Sequence, residues 1–354
     1  MKSPLKVAVV GAGRMGRHHA RIYGQLPGCE LVAVVDKDID RARAVAKEFG
    51  GGAVSRWSDI EKEINAATVA VPTVFHAEVA IPLMERGVAV LVEKPLAPDT
   101  TSAKQLLDTA RRTGLLLQVG HSERFNPVVQ AMLRMGVTPR FIETQRVSPF
   151  TFRSADIGVV FDMMIHDIDI VLHLVRPQIR GKSDYKIDAV GVAVLGQCED
   201  VANARVWFGD EAAANLTASR LALKTDRRIR VFCPSAYLSM DYQRKSGIAI
   251  KLADNIDLIR MAKERNFEDL SQMQDLDFGS MVKIEPLTVD DVEPLKAEIS
   301  AFLDSVRNGT EAAVSAEDGY AAVELAERIT NLVREKDWAS GLGRSPAGSG
   351  SLAT

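Results

Sequence analysis

Three side chains in this chain of 354 residues have the types and spacing to move a proton beside a developing negative charge: Lys94, Asp162 and His166. Lys94 follows the apolar run Val88–Val92 and Glu93, and Pro95 comes next. Proline fixes the local backbone and donates no hydrogen bond. A lysine held at the end of a buried strand points its cation into the crevice that opens there. A solvated turn lysine is the other reading, because most lysines are exposed. Asp162 and His166 stand four apart in a stretch that also carries Asp169 and His173 among Met164, Ile165, Ile168, Val171 and Leu172. On a helix the pair shares a face, and a carboxylate beside an imidazole can orient and tune a general base. The same residues would serve a core helix with satisfied polar groups, or a zinc ion. No cysteine or H-E-x-x-H pattern supports the metal, so none is expected.

These residues need a scaffold, and the N-terminal stretch supplies one. Val7–Val10 reads as a buried parallel strand. The loop Gly11-Ala12-Gly13-Arg14-Met15-Gly16 follows it, with a helix pattern starting inside the loop. In G-x-G-x-x-G the first glycine allows the turn, the second lets the backbone approach a pyrophosphate, and the third lets helix pack on strand. The helix N-terminus offers free N–H groups and a positive dipole end to the phosphates. A second apolar run, Leu31–Val35, ends in Asp36, roughly 20 residues past the motif, where a ribose-binding carboxylate belongs. Asp36 favours NAD over NADP, because its charge repels a 2′-phosphate; Lys37 weakens that preference.

The alternation continues with strands at Ala67–Val71, Val88–Val92 and Leu115–Val119. Helices fall at Ile39–Phe49, Val74–Arg86 and Thr101–Thr113. This predicts a parallel, doubly wound sheet with ligands at the strands' carboxyl ends. After Pro139 the pattern changes. Phe141–Val147 reads as a strand and Val159–Val175 as a helix. Strands then follow at Val201–Phe208, Ala212–Ser219, Arg228–Cys233, Tyr237–Tyr242 and Gly247–Leu252. That succession predicts a mainly antiparallel open sheet, half covered by helix. Asn255–Leu276 reads as a mobile excursion, and Pro294–Val306 and Ala316–Arg334 as helices. The expected division is a Rossmann domain at 1–136, an α+β domain at 137–338 and a disordered tail at 339–354. A formal charge of −3 gives no hint of a nucleic-acid or membrane partner. Cys29, Cys198 and Cys233 are isolated, which suits a reducing cytoplasm. No signal peptide and no bilayer-spanning run are read, so the expected location is the cytoplasm.

The glycine loop, Glu93-Lys94-Pro95, and Asp162-x-x-x-His166 with Asp169 together resemble the glucose–fructose oxidoreductase / inositol dehydrogenase (Gfo/Idh/MocA) family. The resemblance covers the chain up to about Ser340. It implies an NAD(P)-dependent oxidoreductase acting on CH–OH, with catalytic Lys94, assisting Asp162 and general base His166. It places Pro72, Thr73, His76, Glu93 and Lys94 along the cofactor, and it implies a homo-oligomer formed through the C-terminal sheet. Val119–Val128 and Val147–Val171 resemble the nucleotide-sugar 3-dehydrogenases within the family. The implied reaction is oxidation of the 3-hydroxyl of UDP-N-acetylglucosamine, on the way to an amino sugar of lipid A-type glycolipids. Lys94, His166, Arg124, Asn126 and Arg153 are then the expected substrate contacts, with Arg146 near the crevice, since a diphosphate needs cations and N–H donors. Pairing of these arginines with Glu123, Glu143 or Asp156 is the alternative. Inositol, a free sugar or a UDP-sugar uronate are alternative substrates, and a non-catalytic NAD sensor is the reading from another class.

Overall fold

A computed structural model describes residues 3–60, 63–151, 157–179, 185–195, 197–252 and 282–336. Arg153, the 255–276 excursion and the 339–354 tail lie outside the described residues.

The first half alternates strand and helix: β1 (Leu5–Val10), α1 (Arg14–Gln25), β2 (Cys29–Val35), α2 (Ile39–Phe49), β3 (Gly52–Val54), β4 (Ala66–Val69), α3 (His76–Glu85), β5 (Ala89–Glu93), α4 (Thr100–Thr113), β6 (Leu117–Gly120) and α5 (Pro127–Arg134). The six strands lie in the order β3-β2-β1-β4-β5-β6, every pair parallel. Val7, Ala8 and Val9 are fully buried, as a central strand covered on both faces must be. Local chemistry sets the helix ends. Asp38 accepts from the amides of Asp40 and Arg41 to start α2, Asp99 accepts from Ser102 to start α4, and Gly114 closes α4 at φ +67°. The strand order reverses between β1 and β4, so the crevice opens there, at the strands' carboxyl ends. The sequence predicts no strand between the helix at Ile39–Phe49 and the strand at Ala67–Val71. Gly52 instead begins β3, whose three residues are too few to show alternation and are held by pairing with β2.

The second half builds an eight-stranded sheet from β7 (Phe141–Val147), β8 (Lys186–Val192), β9 (Val201–Phe208), β10 (Ala212–Ser219), β11 (Asp226–Phe232), β12 (Ala236–Asp241), β13 (Ser246–Leu252) and β14 (Val282–Pro286), in the order β14-β13-β12-β11-β7-β10-β9-β8. Its pairs are antiparallel except β7 with β10. The expected strand at Val201–Phe208 is β9, and it alternates: Ala202, Ala204, Val206 and Phe208 face inward, and Trp207 is 37% exposed. Strands β8 and β14 had no reading in the sequence; β8 mixes Lys186, Asp188 and Gly191 with its apolar residues.

A π-helical turn, Val160–Met164, leads into α6 (Ile165–Ile179). The chain closes with α7 (Pro294–Asn308) and α8 (Ala316–Glu335). These last helices do not respect a boundary near residue 136. Ile299, Phe302 and Leu303 of α7 join Val7, Val9, Ile22 and Leu91 in one buried cluster. At Gly319 of α8 a Cβ would stand 2.5 Å from a methyl of Val119 in β6. An amphipathic stripe tells that a helix covers something, but not which sheet. Among the described residues no helix is long and apolar enough to cross a membrane.

Candidate active site

One cavity of about 1280 Å³ runs along the carboxyl ends of the parallel strands and meets the π-helical turn. The first sheet gives it Gly11, Asp36, Val71, Lys94 and Gly120 from the ends of β1, β2, β4, β5 and β6. Gly11 sits at φ +99°, and a Cβ there would lie 2.5 Å from the Ala70 carbonyl oxygen; a Cβ on Gly16 would lie 1.6 Å from that of Gly11. Both are held bare by close backbone contact. A Cβ on Gly13 would meet nothing within 4 Å, and Gly13 faces the cavity. It also begins α1 without a side-chain cap, so first-turn amides are left for a ligand. Arg14 and Met15 line the same wall. Asp36 accepts from the Ala12 amide at 2.8 Å and from the Asp38 amide at 2.9 Å. A carboxylate has about four acceptor positions, so two remain for hydroxyls. These residues fit a bound dinucleotide.

Lys94 projects from the end of β5. Its Nζ donates to the backbone carbonyl of Asp162 at 2.8 Å and lies 3.7 Å from the Asp162 carboxylate. The Lys94–Pro95 peptide is cis. His76 braces this turn from beneath: Nδ1 lies 3.0 Å from the Pro95 carbonyl oxygen and Nε2 3.0 Å from that of Val71. Glu93, one residue before, meets His19 Nε2 at 2.8 Å, and His19 Nδ1 lies 3.2 Å from Thr68 Oγ1. Burial alone would raise the Glu93 carboxyl; the His19 bond and the nearby Lys94 charge outweigh it and hold it low. Pro72 and Thr73 line the cavity beside His76.

His166 lines the same cavity as Lys94 and Asp162. The expected Asp162–His166 bond does not form, and Nδ1 of His166 is buried with no hydrogen-bond partner among the described residues. The Asp162 carboxylate lies beside the Lys94 ammonium instead, on a π-helical turn whose backbone bonds run from i to i+5. Asp162 therefore serves Lys94. Burial, then the Lys94 charge, push the His166 imidazole well below its ordinary range, so the ring is neutral at pH 7. Burial also lowers the Lys94 amine, although the Asp162 charge opposes it.

Two expected substrate contacts lie elsewhere. Arg124 is 4% exposed and forks onto Asp169 at 2.8 and 2.7 Å, with His173 Nδ1 2.7 Å from its remaining arm. Asn126 starts α5, accepting from the Val128 amide and donating to Glu123. Neither lines the cavity. Both were expected at the substrate from the resemblance carried by Val119–Val128; burial and internal partners consume them instead. Arg146, also expected near the crevice, forks onto Asp167 at 2.9 Å and reaches Glu123 at 3.1 Å. The cavity gains residues that the sequence reading passed over: Cys198 and Glu199 from the turn before β9, and Arg227 from β11. The expected strand began at Arg228, which left Arg227 outside it.

Comparison with known proteins identifies the scaffold. The model of an oxidoreductase family, its NAD-binding Rossmann fold, matches residues 5–121, and the C-terminal alpha/beta domain of the same family matches residues 144–340. The chain belongs to the Gfo/Idh/MocA oxidoreductase family. A UDP-N-acetylglucosamine 3-dehydrogenase of Acidithiobacillus ferrooxidans is 36% identical over 239 residues, 67% of this chain and 74% of that one. A scyllo-inositol 2-dehydrogenase (NAD(+)) of Bacillus subtilis is 30% identical over 238 residues, 62% of this chain and 68% of that one. A solved UDP-N-acetylglucosamine 3-dehydrogenase from Acidithiobacillus ferrooxidans superposes with a TM-score of 0.82 at 29% identity, covering 94% of this chain and 99% of that one.

Proposed function

We propose that this family member oxidises the 3-hydroxyl of UDP-N-acetylglucosamine to a ketone, with NAD as the partner cofactor. The observation that carries the reading is the shared cavity: the glycine loop, Lys94, Asp162 and His166 all face it. His166, neutral and with Nδ1 buried, takes the hydroxyl proton through its other ring nitrogen. The Lys94 ammonium, steadied by the Asp162 carbonyl and carboxylate, stabilises the oxygen as it becomes an alkoxide. NAD, when bound, supplies the acceptor for the hydride that leaves the carbon. The substrate class is supported by the 36% identity to a UDP-N-acetylglucosamine 3-dehydrogenase. The inositol dehydrogenase relative makes a free polyol the second reading.

The test is NADH absorbance after mixing the protein and NAD with UDP-N-acetylglucosamine, scyllo-inositol or glucose. A signal with UDP-N-acetylglucosamine above the other two is expected. A larger signal with scyllo-inositol would reverse the choice, and none with any sugar would favour a non-catalytic sensor. NADP in the same assay should be slower, because the Asp36 charge stands where a 2′-phosphate would go; an equal rate contradicts that role for Asp36.

The outer face of the eight-stranded sheet supports a homo-oligomer. Val190, Val192, Trp207, Ile248 and Ile284 are exposed there, beside the Phe141–Phe232 and Phe232–Tyr237 ring contacts at 5.5 and 4.9 Å. An apolar face of this kind calls for a cover, and a second copy of the chain supplies a matching one. Sedimentation should show a dimer or larger species, broken by Trp207→Glu; a monomer at micromolar concentration would refute it.

A further inference from the structure

Arg227 is the cation that the large sheet presents to the cavity among the described residues, and the mechanism above does not use it. In the ladder it stands opposite Arg146, so both side chains leave the sheet on the same face, toward α6. The two arginines then differ sharply. Arg146 is 2% exposed and fully occupied by Asp167 and Glu123. Arg227 is 43% exposed along its side chain, and its ion pair with Glu123 is long, at 3.6 Å, beyond hydrogen-bond reach, with the charges of Arg146 and Asp167 also close by. Its Nε is buried without a hydrogen-bond partner among the described residues. Glu123 is already engaged by Arg146 and Asn126. A guanidinium carries five donors in a rigid fork shaped for carboxylate or phosphate, and this one is held at the wall with its Nε–H unmet among the described residues.

We propose that Arg227 is a specificity-determining residue that binds a phosphoryl group of the substrate within the same cavity as Lys94 and His166; the inference rests on the dehydrogenase reading. Size agrees. About 1280 Å³ exceeds the ~300–1,000 Å³ usual for one small ligand, so there is room for a dinucleotide and a second phosphorylated ligand. A free polyol offers the fork no anion beyond the distant Glu123 carboxylate. The substrate class that completes the site is therefore a sugar carrying a phosphate or diphosphate. A sugar carboxylate is the other anion that would fit the fork, and the assay separates the two.

The experiment measures binding of uridine diphosphate and of glucuronate to the full chain by calorimetry in the presence of NAD, and KM and kcat for UDP-N-acetylglucosamine. Arg227→Ala should weaken uridine diphosphate and raise KM by about 10–100-fold, the worth of a lost charged hydrogen bond, with kcat changed only a few-fold. Arg227→Lys should fall between, keeping the charge without the fork. Arg228→Ala is the control: Arg228 is tied to Asp226 at 2.9 Å and should change nothing. Glu123 keeps Arg146 in every Arg227 variant, so the fold is not at stake; should the alanine variant fail to fold, the lysine variant carries the test. Equal binding of uridine diphosphate by wild type and variant would overturn the role of Arg227 and leave the dehydrogenase reading standing. Glucuronate binding that depends on Arg227, with no binding of uridine diphosphate, would overturn the phosphoryl assignment. Failure of the wild type to bind either ligand while it oxidises scyllo-inositol would overturn it also.

Discussion

Alanine in place of His166 will lower kcat for sugar oxidation by about 10²–10⁴-fold, the usual worth of a positioned general base. Lys94→Ala will lower it by a further large factor, about 10²–10³ if the ammonium acts like one oxyanion donor. NAD affinity should survive in both, because neither substitution touches the glycine loop or Asp36. Steady-state kinetics beside a direct cofactor titration separates the two effects. The Asp162→Asn variant is informative in a particular way. Asp162 holds Lys94 partly through its backbone carbonyl, at 2.8 Å, which the substitution keeps. Its loss of rate should be smaller than that of Lys94→Ala. Near-wild-type rates in both His166→Ala and Lys94→Ala would mean that the chemistry lies elsewhere.

Arg124→Ala will act on stability before it acts on substrate. The change strips Asp169, 1% exposed, of its forked partner and leaves a carboxylate buried and uncompensated. Breaking such a pair from one side costs about 3–5 kcal/mol, a large part of the ~5–15 kcal/mol that holds a domain together. At ~2–4 °C per kcal/mol for chains of this domain size, the unfolding midpoint should drop by about 6–20 °C. Asp318, 3.6 Å from another arm of the same guanidinium, loses a neighbour as well. Thermal unfolding followed by circular dichroism reads the effect. A normal melting temperature with a raised KM would restore Arg124 to the substrate-binding role its place in the sequence suggests.

The candidate site shows where sequence is informative in this protein. Gly11, Gly13, Gly16 and Asp36 were legible because their requirements are local: a turn, a close approach, a strand end. That Lys94 and His166 reach one cavity was legible because strand end and helical spacing fix where each side chain starts. The partners of Arg124 and Arg146 were not, since Asp169 and Asp167 come from a helix 45 and 21 residues further on, and any of several nearby acids was as good on paper. Asp162 was misjudged because a shared helix face does not fix which neighbour a carboxylate takes: it goes to Lys94 at the end of β5, and the turn at Val160–Met164 is π-helical. Nothing in VFDMM announces that winding; packing against Lys94 and Glu199 surrounds it. Helix α7 was visible as a helix, but its attachment to the first sheet is a property of the tertiary core.

The most direct measurement is the pH dependence of kcat/KM for sugar oxidation, in the wild type and in His166→Asn. His166 must be neutral to act, and its proton affinity is pushed well below that of a free imidazole. Activity should therefore hold level as pH falls through 6.5, where a free imidazole would already be half protonated, and decline only in more acid solution. Lys94 must be charged, and its affinity is also lowered, so the alkaline decline should begin below the 10.4 of a free lysine. The account predicts that plateau, and predicts that His166→Asn removes the acid limb along with most of the rate. An acid limb that persists unchanged in His166→Asn, or a wild-type rate that halves near pH 6.5, would contradict it.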